Sequence, residues 1–322
     1  MDQPLLSIII AMHNNALTLK KCIDSFYKFV ENQPVEIICI DDHSTDNSIK
    51  IANEYSKISV FNLEGHGLGP SRNCGIAHAT GQYIWFIDAD DELSGDEIPS
   101  LLDKIAVTQT DLYIFGLMKI NGSKRSVIIN SEDKIYHKED NVKSLVSIFK
   151  DNTINSACNK LYKRSIITDF NLRFDDVSSV EDILFNCKYI PCVKTIETLN
   201  KALYLYYIYS DTSTKWKWYP DKEIVVLKML AALNDFSENT NYMSTSVKSR
   251  IATDSAIGVE INILNKKRDL RFYRTHFKSE TMKKILSYCK PLKSGSIHYF
   301  VKSIIAKSLY LSYFYIKGVH NV

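Results

Sequence analysis

Apolar residues in the first hundred positions gather in short runs separated by mixed stretches. Leu5–Met12 (LLSIIIAM), Val35–Ile40 (VEIICI) and Tyr83–Ile87 (YIWFI) are nearly continuous, and Ile58–Leu63 (ISVFNL) is a shorter run of the same kind. Unbroken apolar runs of this length mark strands covered on both faces. Between them, Asn15–Phe29 carries Leu17, Leu19, Cys22, Ile23, Phe26 and Phe29 at roughly helical spacing. Asp46–Tyr55, with Asp46 as N-cap, Gly67–Ala79 and Ile98–Val107 read as further helices. Strand and helix alternate, which predicts an α/β fold: a Rossmann-like parallel sheet with helices on both faces. Ligands of such sheets bind beyond the carboxyl ends of the strands. At those ends the chain places Ala11–Asn14, Asp41–Ser44 and Asp88–Asp91.

The pattern changes after Asp111. Leu112–Ile120 and Ser126–Ile129, joined through NGSKR, predict an antiparallel hairpin. Asn155–Arg164 and Val180–Tyr189 follow, then an aromatic strand, Ala202–Tyr209 (ALYLYYIY). Beyond Pro220 the chain reads as mainly helical, with Ser237–Thr245 as a linker. Two domains are expected, residues 1–215 and a mainly helical 216–322.

Composition changes this picture in three places. The chain of 322 residues is 45% hydrophobic and 24% charged, as in ordinary globular proteins. Its net charge of +3 hides an asymmetry: 13 Lys/Arg stand against 2 Asp/Glu from Lys266 onward, and 27 against 35 before it. The tail is thus about +11 and the body about −8. Either the tail is a solvated basic helical surface, or it attracts anionic lipid headgroups or a phosphorylated acceptor. Within it, Ser296–Tyr315 mixes aromatic and aliphatic residues with Lys302 and Lys307. That stretch suits a membrane interface, or packing on the body or on a second subunit. The seven cysteines are odd in number and form no C-x-x-C pair. They argue against a disulfide framework or a zinc site and fit a reducing cytoplasm. No signal peptide and no run of eighteen apolar residues is read, so a cytoplasmic protein is expected, either free or, through the basic tail, peripheral on the inner face of the cytoplasmic membrane. Only the basic tail speaks for nucleic acid, with no motif behind it, so no nucleic-acid partner is expected.

The candidate chemistry begins with YIWFIDADDEL, where a buried strand runs into Asp88, Asp90, Asp91 and Glu92. Carboxylates crowded at a strand end become stable together on a shared divalent cation, Mn2+ or Mg2+ for hard oxygens, whose shell substrate phosphates complete. Alone, the cluster reads equally as an acidic turn capping a helix. In IDDHSTDNS, Asp41 and Asp42 end the second strand, and a carboxylate there can accept from the N3–H of uracil. In EGHGLGPSRNCG, three glycines, Pro70 and Arg72 suit an anion site for a diphosphate. The dinucleotide fingerprint does not fit, because these glycines follow the third strand and the last spacing is wrong. In SSVEDILF, Glu181 and Asp182 fall at a helix start, where an ionised carboxylate is stabilised and can take a proton from a sugar hydroxyl.

Taken in order, SIIIAMHN (Ser7–Asn14), ICIDDHSTD (Ile38–Asp46), GPSRNCGIAHATGQYIWFIDADD (Gly69–Asp91), CNKLYKRSII (Cys158–Ile167) and EDILF (Glu181–Phe185) resemble the family 2 glycosyltransferases of the GT-A fold. The resemblance covers roughly residues 5–210 and leaves out the helical C-terminal third. It implies an inverting transfer of a sugar from a nucleotide diphosphate sugar, most simply a UDP-sugar, to a glycan or lipid-linked glycan, as in bacterial surface-polysaccharide synthesis. By resemblance Ala11 and His13 line the base pocket, where the family usually has proline and tyrosine. Asp41 and Asp42 hold base and ribose, Arg72 lies near the nucleotide, and Asp88 and Asp90 form the D-x-D that binds metal and diphosphate. Asp182 matches the catalytic base, and Glu181 is its neighbour. No tryptophan precedes Lys160-Leu161-Tyr162, where the family often has one. Two other readings were weighed. Nucleotidyl transfer on a similar sheet usually needs a glycine-rich loop after the first strand, and AMHNNALTLKK contains no glycine. A non-catalytic nucleotide- or glycan-binding scaffold is opposed by the intact acids.

Overall fold

The strands predicted from the apolar runs join others in one ten-stranded sheet in a computed structural model that describes residues 3–129, 132–140, 153–209, 220–266 and 278–289. They are β1 (Leu6–Met12), β2 (Val35–Asp41), β3 (Ile58–Asn62), β4 (Tyr83–Asp88), β5 (Glu92–Leu93), β6 (Leu112–Asn121), β7 (Lys124–Ile128), β8 (Lys134–His137), β9 (Lys160–Lys163) and β10 (Thr195–Tyr207). Their order is β3-β2-β1-β4-β9-β6-β10-β5, with β7 beside β6 and β8 beside β10. β1 pairs in parallel with both β2 and β4, so the winding reverses between β1 and β4. A crevice opens at such a reversal. In register, Ala11 faces Ile40 on one side and Asp88 on the other, and Met12 faces Asp41. The three polar strand ends therefore share one edge of the sheet.

Two compact units divide the chain: Met1–Val177 with Glu181–Tyr209, and Ser178–Val180 with Ser210–Val322. In the first unit Ile8, Ile10, Trp85, Ile87 and Phe115 are all but fully buried in one core. Burying each such side chain stabilises the fold by about 1.5–3 kcal/mol. Trp85 sets its ring at 69° to Phe115 and donates from Nε1 to the Cys158 carbonyl at 2.7 Å, so its polar edge is satisfied inside the core. The helix Leu68–His78 lies close on β1, because a Cβ at Gly75 would meet Ile9 Cγ2 at 2.3 Å. That approach brings Arg72 under the strand ends.

Several boundaries differ from expectation. Asn15–Phe29 holds two short helices, Leu19–Asp24 and Tyr27–Val30, in place of one. Between them Ser25 Oγ donates to the Cys22 carbonyl and accepts from Leu93 N–H, and the Ser25 carbonyl fills the space a Cβ at Gly95 would need. The helix after Asp46 shortens to Ser48–Ala52, with the Asp46 carboxylate taking both Ser48 N–H and Ala16 N–H. The aromatic strand is the second half of a longer β10, which carries register shifts on both sides of Ala202. NGSKR does turn a hairpin: Asn121 faces Lys124, and Gly122, at φ 56, takes the position that needs a left-handed residue.

In the second unit, helices Lys222–Thr240, Thr245–Lys266 and Glu280–Tyr288 contact one another. The first helix runs into the expected linker and stops at Asn241, which takes φ 58. Ser279 caps the last of them by accepting from Met282 N–H at 3.1 Å. Among the described residues no helix is long and apolar enough to cross a membrane. Ser296–Tyr315 lies outside the described residues.

Candidate active site

One side of the crevice is built from the ends of β1 and β2. Asp41 is buried; its Oδ2 accepts from Ser44 N–H at 3.0 Å, while its buried Oδ1 has no hydrogen-bond partner among the described residues. A buried carboxylate oxygen left unpaired is costly and calls for a donor. Asp42 accepts from Gly67 N–H at 2.8 Å and faces His66 Nδ1 at 3.1 Å, which fastens the glycine loop to β2. Gly67 takes φ 106, a conformation open to glycine. His13, exposed at the end of β1, places Nδ1 against the Asp42 carbonyl, and half-buried Ala11 lies level with Asp88. Among the described residues, Asp42, His43 and His66 also bring one ligand atom each within 4.8 Å of the others, on this side rather than at the β4 end.

Arg72 is the hub of the other side. Its guanidinium, 2% exposed, pairs with Asp88 at 3.0 Å, with Glu181 at 3.1 Å and, most closely, with Asp182. Three carboxylates from two distant segments thus converge on one planar fork of donors. Asp182 Oδ2 also accepts from Ala157 N–H at 2.8 Å, which fixes the carboxylate's orientation. Glu181 is pushed up to about 7, by burial first and then by the charge on Asp182. Val180, just before this pair, takes φ 64, uncommon for a β-branched residue and typical of strain held at functional sites.

The four acids that end β4 divide their work. Asp91, 1% exposed, accepts from Tyr204 Oη at 2.6 Å and from Tyr207 N–H at 2.8 Å; it ties β10 to the strand end. Burial, and then the Asp88 charge, push it up to about 8. Glu92 pairs with Lys21. Asp88 and Asp90 remain for a ligand: Asp88 is partly exposed, and half-buried Asp90, whose backbone carbonyl accepts from Tyr209 Oη at 3.2 Å, has no partner for its carboxylate among the other described residues. Burial and the neighbouring Asp88 raise the Asp90 carboxyl above its ordinary range.

A cavity of about 390 Å3 opens off Asp88 and Asp182. Its walls include Cys158, Asn159, Tyr204 and Tyr206, none of which the motifs singled out as site residues. Cys158 Sγ reaches Asp88 at 3.6 Å and Arg72 at 3.9 Å. Beneath it Lys160, fully buried, donates to the Ser156 carbonyl at 2.5 Å and to Asn159 Oδ1 at 2.8 Å, which props the cavity wall. Burial pulls this lysine down to about 7. The adjacent polar pair Asn159-Lys160 inside CNKLYKRSII was the readable sign. The structure thus gathers Arg72, Asp88, Asp90, Glu181 and Asp182 at one end of the crevice and Ala11, His13, Asp41 and Asp42 at the other.

A sheet with this switch point and an acidic strand end defines the GT-A class of α/β proteins. The family model described as glycosyl transferase family 2 matches residues 7–170, half of the chain, and the chain belongs to that family. An uncharacterized glycosyltransferase, EpsJ of Bacillus subtilis (strain 168), is 30% identical over 210 residues, 63% of this chain and 61% of its own length. The crystal structure of S. aureus TarS 1–349 in complex with UDP-GlcNAc matches with a TM-score of 0.62 at 18% identity, over 97% of this chain and 92% of that one. Mannosyltransferase PcManGT from Pyrobaculum calidifontis, in complex with GDP-Man and Mn2+, matches with a TM-score of 0.55 at 12% identity, over 98% and 88%. The chain spans about three fifths of the length of EpsJ.

Proposed function

We propose that the protein is an inverting glycosyltransferase that moves a sugar from a nucleotide diphosphate sugar, a UDP-sugar, to a hydroxyl of a glycan or lipid-linked glycan in surface-polysaccharide synthesis. One observation carries the reading: a single buried guanidinium clasps Asp88 on the donor side and Asp182 on the cavity side. Donor and acceptor groups are thereby held in one fixed relation, which is what positioning catalysis requires. The unpaired Asp41 Oδ1 suits the N3–H of uracil, and Asp42 suits the ribose. In the transfer, the acceptor oxygen bonds to the anomeric carbon while the bond from that carbon to the diphosphate breaks. Its electron pair leaves with UDP, and the hydroxyl proton passes to Asp182. No covalent intermediate forms. Residues 1–215 are proposed as the donor-binding catalytic domain, and 216–322 as a mainly helical domain.

A divalent cation fits the residues present. Asp88 and Asp90 offer only hard carboxylate oxygens, the Asp90 carboxylate lacks a partner from another described residue, and Arg72 alone faces Asp88 and two further carboxylates. Asp88 and Asp90 would hold Mn2+ or Mg2+, whose charge stabilises the negative charge growing on the diphosphate. PcManGT, with GDP-Man and Mn2+ in its complex, supports the cation. A panel of nucleotide sugars with Mn2+ tests both parts. The matching donor, at about a hundred times its Kd, is expected to stabilise the protein by about 2.7 kcal/mol in thermal unfolding. Asp90→Ala is expected to remove that gain together with its Mn2+ dependence. Equal stabilisation with and without metal in the wild type rules out the cation, and no response to any nucleotide sugar rules out the transferase.

The basic residues after Lys266 are proposed to hold the protein on an anionic membrane surface near such an acceptor. Flotation with anionic liposomes is expected to carry the full chain and to leave behind a truncation near Arg274. Equal flotation of the two dismisses the surface.

A further inference from the structure

One wall of the cavity is a regular piece of sheet. Tyr204, Leu117 and Ile128 face one another across β10, β6 and β7, and Tyr206, Lys119 and Ser126 form the next row. Residues two apart on a strand share a face, so the rows lie about 7 Å apart on one surface. Leu117, Ile128, Tyr204, Tyr206 and Lys119 all line the cavity that also holds Asp88 and Asp182. Lys119 is only half exposed, and among the described residues its ammonium has no carboxylate, carbonyl or ring partner. Other lysines of this unit do have partners: Lys104 pairs with Glu197, Lys163 with Asp111 and Lys188 with Asp175. The hairpin that carries Lys119 also bears Lys124 and Arg125, and it has no Asp or Glu between Leu112 and Ile129.

A cation drawn out of bulk water without a counter-charge loses hydration and gains nothing in return, unless a ligand brings the charge. The same cavity is also lined by the carboxylates Asp88 and Asp182. An acceptor carrying a negative group would be pushed from Asp88 and Asp182 and drawn to Lys119, which leaves its hydroxyl at Asp182. Charge of both signs in one cavity thus orients the acceptor as well as selecting it. Tyr206, directly across from Lys119 and 42% exposed, presents a ring face to the apolar side of a sugar.

We propose that the acceptor is an anionic glycan or polyol, with an oxyanion, phosphodiester or carboxylate, seated on Lys119 beside Tyr206 while the neighbouring hydroxyl faces Asp182. This inference rests on the transfer reading and names the acceptor class for it. The test titrates the full chain, with UDP and Mn2+ present, with three probes: a glycerol-phosphate trimer, trigalacturonate and maltotriose. One anionic probe is expected to bind about tenfold more tightly than maltotriose. A preference for the phosphate probe identifies a phosphodiester acceptor, and a preference for trigalacturonate identifies a uronate. Lys119→Ala is expected to abolish the preference, and Lys119→Glu to reverse it, with UDP binding and thermal midpoint kept. No preference for either anionic probe, or a preference that survives Lys119→Glu, overturns the inference. Loss of UDP binding in Lys119→Glu also overturns it, because the lysine then serves the donor. A wild type that binds no UDP with Mn2+ sinks the transfer reading itself, a result the same titration reads separately.

Discussion

Asp182→Asn is expected to bind UDP with Mn2+ as the wild type does and to lose about 10²–10⁴ in kcat. Asp182 accepts from Arg72 on one oxygen and from Ala157 N–H on the other. A carboxylate has about four acceptor positions, so two remain, and the residue lines the cavity. Its proposed job there is to take a proton that becomes acidic only as the new bond to the anomeric carbon forms. An amide of the same shape cannot take that proton, and none of the atoms proposed to bind the nucleotide is removed. KM for the donor and the UDP titration should therefore hold while kcat falls. The amide nitrogen also turns a donor toward either Arg72 or Ala157, so Asp182→Ala serves as a second variant; it should lose activity to a similar degree without that mismatch. Transfer by both variants at wild-type rate would retire Asp182 as the base. A fall in donor affinity as large as the fall in kcat would move it to the donor side.

The half of the site that was readable came from local patterns. β1, β2 and β4 announce themselves because strands buried on both faces have no polar alternation to hide them. The acids at their ends stand out for the same reason. The sheet side of the cavity wall was not readable, because it depends on register between strands far apart in the chain. Nothing local says that Lys119 lies opposite Tyr206, or that Leu117 lies opposite both Tyr204 and Ile128. The first half of β10 was missed for a related reason. Glu197 sits buried within it, and its partners, Lys104 and Thr110, come from another part of the fold. A strand containing such a glutamate reads as loop until the partners are placed. Arg72 shows the limit most clearly. Its sequence setting suggests an anion site at a helix start, and the fold presents it first with carboxylates reached from 16 to 110 positions away.

Those carboxylates make Arg72→Met the substitution with the largest expected effect on stability. The guanidinium is buried, and Asp88, Glu181 and Asp182 all depend on it for neutralisation. Its removal leaves partly buried negative charges facing one another, at a cost of about 3–5 kcal/mol. Arg72→Lys should recover only part of this, because a single ammonium cannot place separate N–H groups on three carboxylates. The loss should also depend on pH, with a definite sign. Glu181 already sits at about 7 against an ordinary 4.5. Between those values the folded state holds more protons at this group than the unfolded state does, so its effect on stability worsens as pH rises through that window. Without the guanidinium, which opposes the shift, the carboxyl rises further. The deficit of Arg72→Met is therefore expected to be larger at about pH 8 than at about pH 5.5. Urea midpoints of the wild type and the variant at both pH values, without nucleotide or metal, measure this. A difference under about 1 kcal/mol that does not change with pH would mean that the cluster is screened like a surface pair. Arg72 would then be no hub, and the clasp joining donor side to acceptor side would lose its physical basis.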